Sequence, residues 1–280
     1  MCFAIDVAPL GELADPRRVV ELARAAEAAG WDGLSTWDNL GTGMGAPFGE
    51  QFVTLAAVAA STERLRLITS ATILPRRRPQ LVAQAAATLD LLSGGRLALG
   101  VGAGGDPPDF EAFGEPADAR SRAALLDEAL PLVDAFLRSE IVDHHGAHYV
   151  VRGVGVGPAP IQRPRPPIWV GGMHDAALRR AARWDGWIGL AIAADGSISM
   201  PVTPADIATA VRRIGQERDT LGRADEPFDV ALLGYSEPDG PEIVGEFAAA
   251  GVTWWLEGLH LMRGPFESLL ARILAGPPRP

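Results

Sequence analysis

The sequence predicts a closed (β/α)8 TIM barrel of the α/β class, eight parallel strands each followed by a helix. Three observations carry that expectation. Short apolar runs alternate with amphipathic segments along nearly all of the 280 residues, the pattern of strand followed by helix. The alternation repeats eight times at about 35 residues per unit, as such a barrel requires. An open doubly wound sheet would more often have fewer strands and a nucleotide fingerprint in its first unit, and none stands there. One domain, residues 1–280, is therefore expected. A chain of about 300 residues buries roughly 75% of the surface its unfolded form exposes, and hydrophobic residues at 48% supply a large core.

The first strand covers 2–7. Asp15 is placed to cap a helix that has Pro16 at its first position and runs to Ala29, where Gly30 stops it. A second strand at 33–37 leads into a glycine-rich loop from Asp38 to about Phe48, then a helix reaching Ser61. The run 65–74 is β-branched and apolar and makes the third strand, ended by Pro75. A helix over 80–92 closes at Ser93-Gly94-Gly95. Strand 96–101, loop 102–116 and a long helix over 117–138 form the fourth unit. Residues 139–166 break the pattern. Here 141–143 and 148–151 flank His144-His145-Gly146-Ala147 as a β-hairpin, followed by proline-rich extended chain. This is an insertion after the fourth helix, within the single domain. Strands at 167–170, 186–191, 228–233 and 252–256 then alternate with helices at 173–184, 204–221, 241–250 and 265–274. In such a barrel the function sits in the loops after the strands, here 38–40, 75–78, 102–109, 171–175, 193–200, 236–240 and 257–263.

Composition excludes several classes. A formal charge of −10 and a pI near 5.0 argue against a broad nucleic-acid-binding surface. The single cysteine, Cys2, allows neither an intrachain disulfide nor a thiolate zinc cluster. All 25 basic residues are arginine, which removes Schiff-base chemistry and the lysines of phosphate-binding loops and kinases. The start has no basic segment before an apolar run, and no stretch of 18 apolar residues exists, so neither a secretory signal nor a membrane span is expected. A cytoplasmic protein without nucleic-acid or membrane partners follows as the default.

Several constellations fall in the expected mouth. Gly100-Val101-Gly102-Ala103-Gly104-Gly105 satisfies G-x-G-x-x-G after a strand, but lies in the fourth unit and leads into Asp106-Pro107-Pro108-Asp109 instead of a helix. It fits a strand end where backbone approaches a ligand. His144, His145 and His148 diverge in a hairpin turn and are read as exposed side chains; no metal site is expected. Gly171-Gly172-Met173-His174 ends a strand and opens a helix, a place that favours an anion such as phosphate. Arg76-Arg77-Arg78 is either a solvated run or a partner for an acidic ligand tail. Trp37 and Trp254-Trp255 read as core or rim aromatics. Glu257, His260 and Arg263 are titratable or charged groups after the eighth strand.

Together these residues resemble the luciferase-like monooxygenase family, the superfamily of bacterial luciferase and the coenzyme F420-dependent oxidoreductases. The resemblance is carried by 65–75 with Arg76-Arg77-Arg78-Pro79, by Ala87-Thr88-Leu89-Asp90, and by Leu92-Ser93-Gly94-Gly95-Arg96 with Leu99-Gly100-Val101-Gly102-Ala103-Gly104. Pro166-Pro167-Ile168-Trp169-Val170-Gly171-Gly172 and Asp185-Gly186-Trp187 extend it over nearly the whole chain. It implies FMN or coenzyme F420 at the mouth and a small-molecule substrate, with a homodimer as the candidate assembly. Asp38, Asn39, Ser70, Ala71, Thr72, Ala103 and Gly104 would surround the ring. Gly171, Gly172, Met173, His174 and Asp175 would hold the phosphate. The family's non-proline cis peptide would fall at Ser70–Ala71. Relatives commonly carry Asp-His where Asp38-Asn39 stands here, and an amide cannot carry a proton near neutral pH. The luciferase branch has an arginine for the FMN phosphate where Ala103 stands. The proton must then come from Asp38, Glu257 or His260, with Asn39 as a hydrogen-bonding partner. The expected function is a flavin- or F420-dependent oxidoreductase, leaning to F420 because of Arg76–Arg78. The alternatives are a binding protein that has lost turnover with the histidine, and a reductase using NAD(P) alone.

Overall fold

The computed structural model describes residues 1–43, 45–189, 202–236, 242–260 and 263–279. Eight parallel strands close on themselves. Arg66–Thr69 pairs with Gly33–Thr36, which pairs with Cys2–Val7, then Trp254–Leu259, Asp229–Gly234, Gly186–Gly189, Ile168–Gly171 and Leu97–Gly102. The fourth strand returns to the third through Leu67 opposite Leu97 and Ile68 opposite Ala98. Every consecutive pair along the chain up to the fourth unit is joined by a helix, so all strands run in one direction and their C-terminal ends share one mouth.

Successive strand residues point to opposite sides of the barrel wall. Inside lie Ala4, Ile68, Ala98, Trp169, Ile188, Ala231, Leu233 and Leu256, a small separate core. Trp169 and Trp254 meet there with ring centres 5.9 Å apart. Phe3, Ile5, Val7, Leu97, Leu99 and Val101 face outward and pack under the helices. Burying a side chain such as Leu or Ile is worth about 1.5–3 kcal/mol, so this outer layer supplies most of the apolar burial.

The helices form where their caps dictate. Asp15 accepts from the Arg17 backbone N–H and starts Pro16–Ala28. Gly94, at φ 70°, ends Pro79–Ser93 in the left-handed region. Helices are shorter than the pattern suggested: Gln51–Ala59 begins at the Glu50 cap, and Asp175–Ala181 has only seven residues. The third strand is corrected too. It stops at Thr69, resumes for Thr72–Ile73, and turns into a 3-10 segment over Leu74–Arg76. The loop after the fourth strand holds a short helix, Pro108–Glu111. Positions 190–191 of the expected sixth strand, residue 241 of a helix, and loops 193–200 and 237–240 lie outside the described residues, as do 261–262 of the last loop.

The insertion is a two-stranded antiparallel hairpin, Val142–His145 with Val150–Val154. Glu128, on the long helix Ala119–Leu137, accepts from the backbone of His148 and Tyr149 and contacts His144 Nε2 at 3.0 Å. Asp90 accepts from Ile161, Gln162 and the Gln162 amide. Two buried or half-buried carboxylates thus staple the insertion to the barrel. No helix among the described residues is long and apolar enough to cross a membrane.

Candidate active site

The two halves of the mouth differ in chemistry. At strands three to five the chain ends in residues with little side chain. The Ser70–Ala71 peptide is cis and forms the bulge that interrupts the third strand. The fourth strand ends at Gly102 and the fifth at Gly171. A Cβ built on Gly102 would lie 3.5 Å from the Ala71 methyl, and one on Gly171 3.8 Å from it. Three backbones therefore converge on one flat patch that larger side chains would fill. Gly104, at φ 80°, continues the patch against the ring of Phe110.

Strands seven, eight, one and two present the polar half. Asp6 shares the inward parity of Ala4 and stands in register with Ser35 and Gly258. It is 1% exposed. Ser70 Oγ donates to its Oδ1 at 2.7 Å and Trp37 Nε1 to its Oδ2 at 2.5 Å, while Ser35 Oγ also donates to Oδ1. Burial pushes the Asp6 carboxyl up to about 6, against the opposing effect of those three donors. Ser70 has a second acceptor, the Thr36 carbonyl at 3.3 Å. A protonated Asp6 can donate to Ser70 Oγ while the hydroxyl hydrogen turns to Thr36, so the cluster is satisfied in either protonation state.

Tyr235 and His260 follow the seventh and eighth strands by one residue each. Tyr235 OH and His260 Nε2 are 2.9 Å apart, and the rings meet edge-on. Trp37 lies on the other side of His260, with ring centres at 6.3 Å. Burial and the Arg263 charge hold the imidazole below its usual range. Burial and the Asp6 charge push the Tyr235 phenol up.

A separate ion network carries the loops of the mouth. Asp38 accepts from the Ile73 backbone, Arg76 and Arg77. Asp109 accepts from Arg76, the backbone of Leu40 and Thr42, and the Thr42 hydroxyl. Arg77 also reaches Glu50 at 3.0 Å. The loops after strands two, three and four are clasped together. Asn39 belongs to the same structure: its Oδ1 accepts from Gly41 at 2.5 Å. Burial and Asp109 push the Asp106 carboxyl up, and the Asn39 amide opposes them. Losing both contacts in Asn39→Ala is expected to cost about 1–3 kcal/mol in denaturant unfolding. A change below about 0.5 kcal/mol would show that Asn39 does not hold this loop.

The description Luciferase-like monooxygenase fits residues 2–235. The chain belongs to the luciferase-like monooxygenase family. An uncharacterized protein of Mycobacterium tuberculosis is 34% identical over 232 residues, 76% of this chain and 75% of that one. An FMNH2-dependent dimethylsulfone monooxygenase of Pseudomonas putida is 34% identical over 170 residues, 60% of this chain and 46% of that enzyme. The coenzyme F420-dependent tetrahydromethanopterin reductase of Methanopyrus kandleri shares the fold, with TM-score 0.77 and 19% identity over 98% of this chain and 97% of that one.

Within this luciferase-like barrel the residues nominated from sequence separate into groups. Ser70, Ala71, Gly104, Gly171 and His260 gather at the mouth. Thr72 is turned away, its hydroxyl given to Gln51, and Ala103 packs against the outer core. Gly172 spends its N–H on the Ile188 carbonyl, and Met173 packs against the core. His174 caps the seven-residue helix without a side-chain bond, and Asp175 pairs with Arg213. Glu257 has outward parity and is fully buried between the barrel and Arg272. Asp38 and Glu257 are thus both anchored by arginines. Three candidate residues had not been singled out from the sequence. Asp6 and Tyr235 are two. The third is Arg122, 7% exposed, stacked over Phe110 at 4.9 Å, with Nε and Nη1 unpartnered among the described residues.

Proposed function

We propose that this protein is an oxidoreductase dependent on reduced FMN, which lies over the patch of Ala71, Gly102 and Gly171 beside a small organic substrate. The observation that carries the reading is Asp6, an acid buried at the mouth of this barrel and joined to it through Ser70 Oγ, whose carboxyl burial pushes up to about 6. A general acid works best with a pKa near the operating pH. When bound, the reduced flavin supplies two electrons. The chain's own residues hold the proton: Asp6 keeps it out of water, and Ser70 Oγ passes it to the mouth by exchanging one hydrogen for another. The non-catalytic alternative rested on Asn39 in place of histidine, and Asp6 is an acid independent of that position.

The arginine run lends coenzyme F420 less support in the folded protein than in the sequence. Arg76 and Arg77 are paired with Asp38, Asp109 and Glu50, which leaves Arg78 of the run to meet an acidic tail. Arg122 supports a single phosphate instead. It sits in the first turn of Ala119–Leu137, and its unpartnered buried N–H groups are costly unless an anion takes them. Gly172 gives its N–H to Ile188, which leaves the backbone from Met173 to Asp175, after the adjacent fifth strand, to add donors. The FMNH2-dependent relative from P. putida agrees with this choice.

The test is equilibrium titration of the protein with reduced FMN, oxidised FMN, coenzyme F420 and NADPH. Reduced FMN binds tightest under this reading. Arg122→Met keeps the stem over Phe110, removes a buried charge whose Nε and Nη1 lack hydrogen bonds among the described residues, and leaves stability equal or higher. It is expected to weaken FMN at least about tenfold, the loss of charge-assisted hydrogen bonds. Equal weak binding of all four ligands, or tighter F420 than FMN, overturns the assignment.

A further inference from the structure

We infer that Tyr235 and His260 form the substrate-selecting part of the mouth, and that His260 Nδ1 hydrogen-bonds an uncharged oxygen function, a carbonyl or hydroxyl. The inference rests on reading the mouth as an oxidoreductase site, and it adds the class of substrate.

Placement comes first. The flat patch occupies strands three to five, so the pair on strands seven and eight lies across the mouth from it, on the side of Asp6 and Trp37. The pair is built into the wall. Gly258, on the eighth strand, has no side chain because the Tyr235 ring occupies the place its Cβ would take. The Arg263 guanidinium lies over the same ring at 5.6 Å. Arg263 is itself fixed by Glu257, the Gly258 carbonyl and the Ser236 carbonyl. Tyr235 thus has one position, and its hydroxyl holds His260 Nε2.

The other imidazole nitrogen is different. His260 Nδ1 is buried and has no hydrogen-bond partner among the described residues. A buried polar atom without a partner loses its hydration and gains nothing in return, which marks a place where a ligand atom completes the set. Two tautomers are open to the neutral ring. With Tyr235 OH donating to Nε2, Nδ1–H is a donor suited to a carbonyl; with Nε2–H donating to the phenol oxygen, Nδ1 accepts from a hydroxyl. The two tautomers therefore match the two oxidation levels of one oxygen-bearing carbon. Charged ligands fit poorly. Arg263 is held by Glu257, and Asp6 already accepts from Ser35, Ser70 and Trp37, so neither leaves an open counter-charge.

The experiment uses the full-length protein with 15N-labelled histidine, the His260 signals being identified by their loss in His260→Gln among the five histidines. Cyclopentanone, cyclopentanol, cyclopentylamine and cyclopentanecarboxylate serve as probes of one size. Cyclopentanone and cyclopentanol are expected to shift the His260 Nδ1 resonance saturably, in opposite tautomeric senses, and the two charged probes are not. Tyr235→Phe keeps the ring and removes the hydroxyl; it should weaken the ketone about three- to tenfold. FMN affinity is measured alongside. A protein that binds no FMN yet shows these shifts loses the flavin assignment and keeps this one. FMN binding with an unperturbed His260, or equal shifts from the carboxylate or the amine, overturns the inference.

Discussion

Asp6→Asn is expected to lower turnover with reduced flavin by about 10²- to 10⁴-fold, the usual worth of a positioned general acid. The variant should also lose the ionisation near pH 6 from its rate profile. Turnover by the parent protein should slow as pH rises through about 6, because only the protonated carboxyl can donate. The replacement is nearly isosteric, and the Ser35 and Ser70 hydroxyls can rotate to meet an amide, so folding is preserved. A readout independent of any substrate follows from linkage. The folded-state pKa of Asp6 is raised from 3.8 to about 6, so the native protein binds the extra proton between those values. Its stability therefore falls as pH rises from about 4 to 6, by on the order of 3 kcal/mol. This slope is absent in Asp6→Asn. Urea unfolding of both proteins across pH 4–7 measures the difference directly. Parallel stability curves would mean that Asp6 is not a buried, proton-holding acid, and the proposed acid would go with it.

How far the site could be read from the sequence depends on which physical relation each residue obeys. Local relations were legible. Asp15 with Pro16 announced a helix start, Ser93-Gly94-Gly95 a helix end, and eight repeats of strand and helix the closed barrel. The cis bond at Ser70–Ala71 agreed with the family resemblance. Facing was harder. In Trp254–Leu259 both phases of the alternation begin with tryptophan, so periodicity alone could not say that Trp254 and Leu256 point inward while Trp255 and Glu257 point out. Asp6 had a weak signal that was available: one acid in an apolar strand, two residues from a small alanine. Pairing was hidden altogether. The partners of Arg76 are Asp38 and Asp109, 38 and 33 residues away, and such contacts exist only once the loops meet. The unpartnered state of Arg122 and His260 Nδ1 is likewise a property of the folded surroundings.

Glu257 tests the distinction between an anchor and a catalyst. It is 0% exposed and accepts from the Ser236 backbone at 3.1 Å, Ser236 Oγ at 2.7 Å, Trp255 Nε1 at 2.8 Å and Arg263, with Arg272 at 3.6 Å. Its removal leaves two guanidinium groups without their carboxylate and several donors unmet. Breaking a buried pair from one side costs about 3–5 kcal/mol. Glu257→Ala is therefore expected to melt roughly 5–9 °C below the parent, given the unfolding entropy of a chain this long. Glu257→Gln keeps the acceptor oxygen for Ser236 or Trp255 and should lose less. A catalytic glutamate would behave differently, costing turnover with little effect on stability. The deciding comparison is the residual rate of Glu257→Gln well below its melting temperature. If that variant is as stable as the parent and turns over 100-fold more slowly, Glu257 touches the reaction. If it melts early but keeps the pH 6 ionisation, the proton belongs to Asp6. The arginine clamp then explains why a buried acid stands within the eighth strand: it fixes Arg263, and through Arg263 the ring of Tyr235.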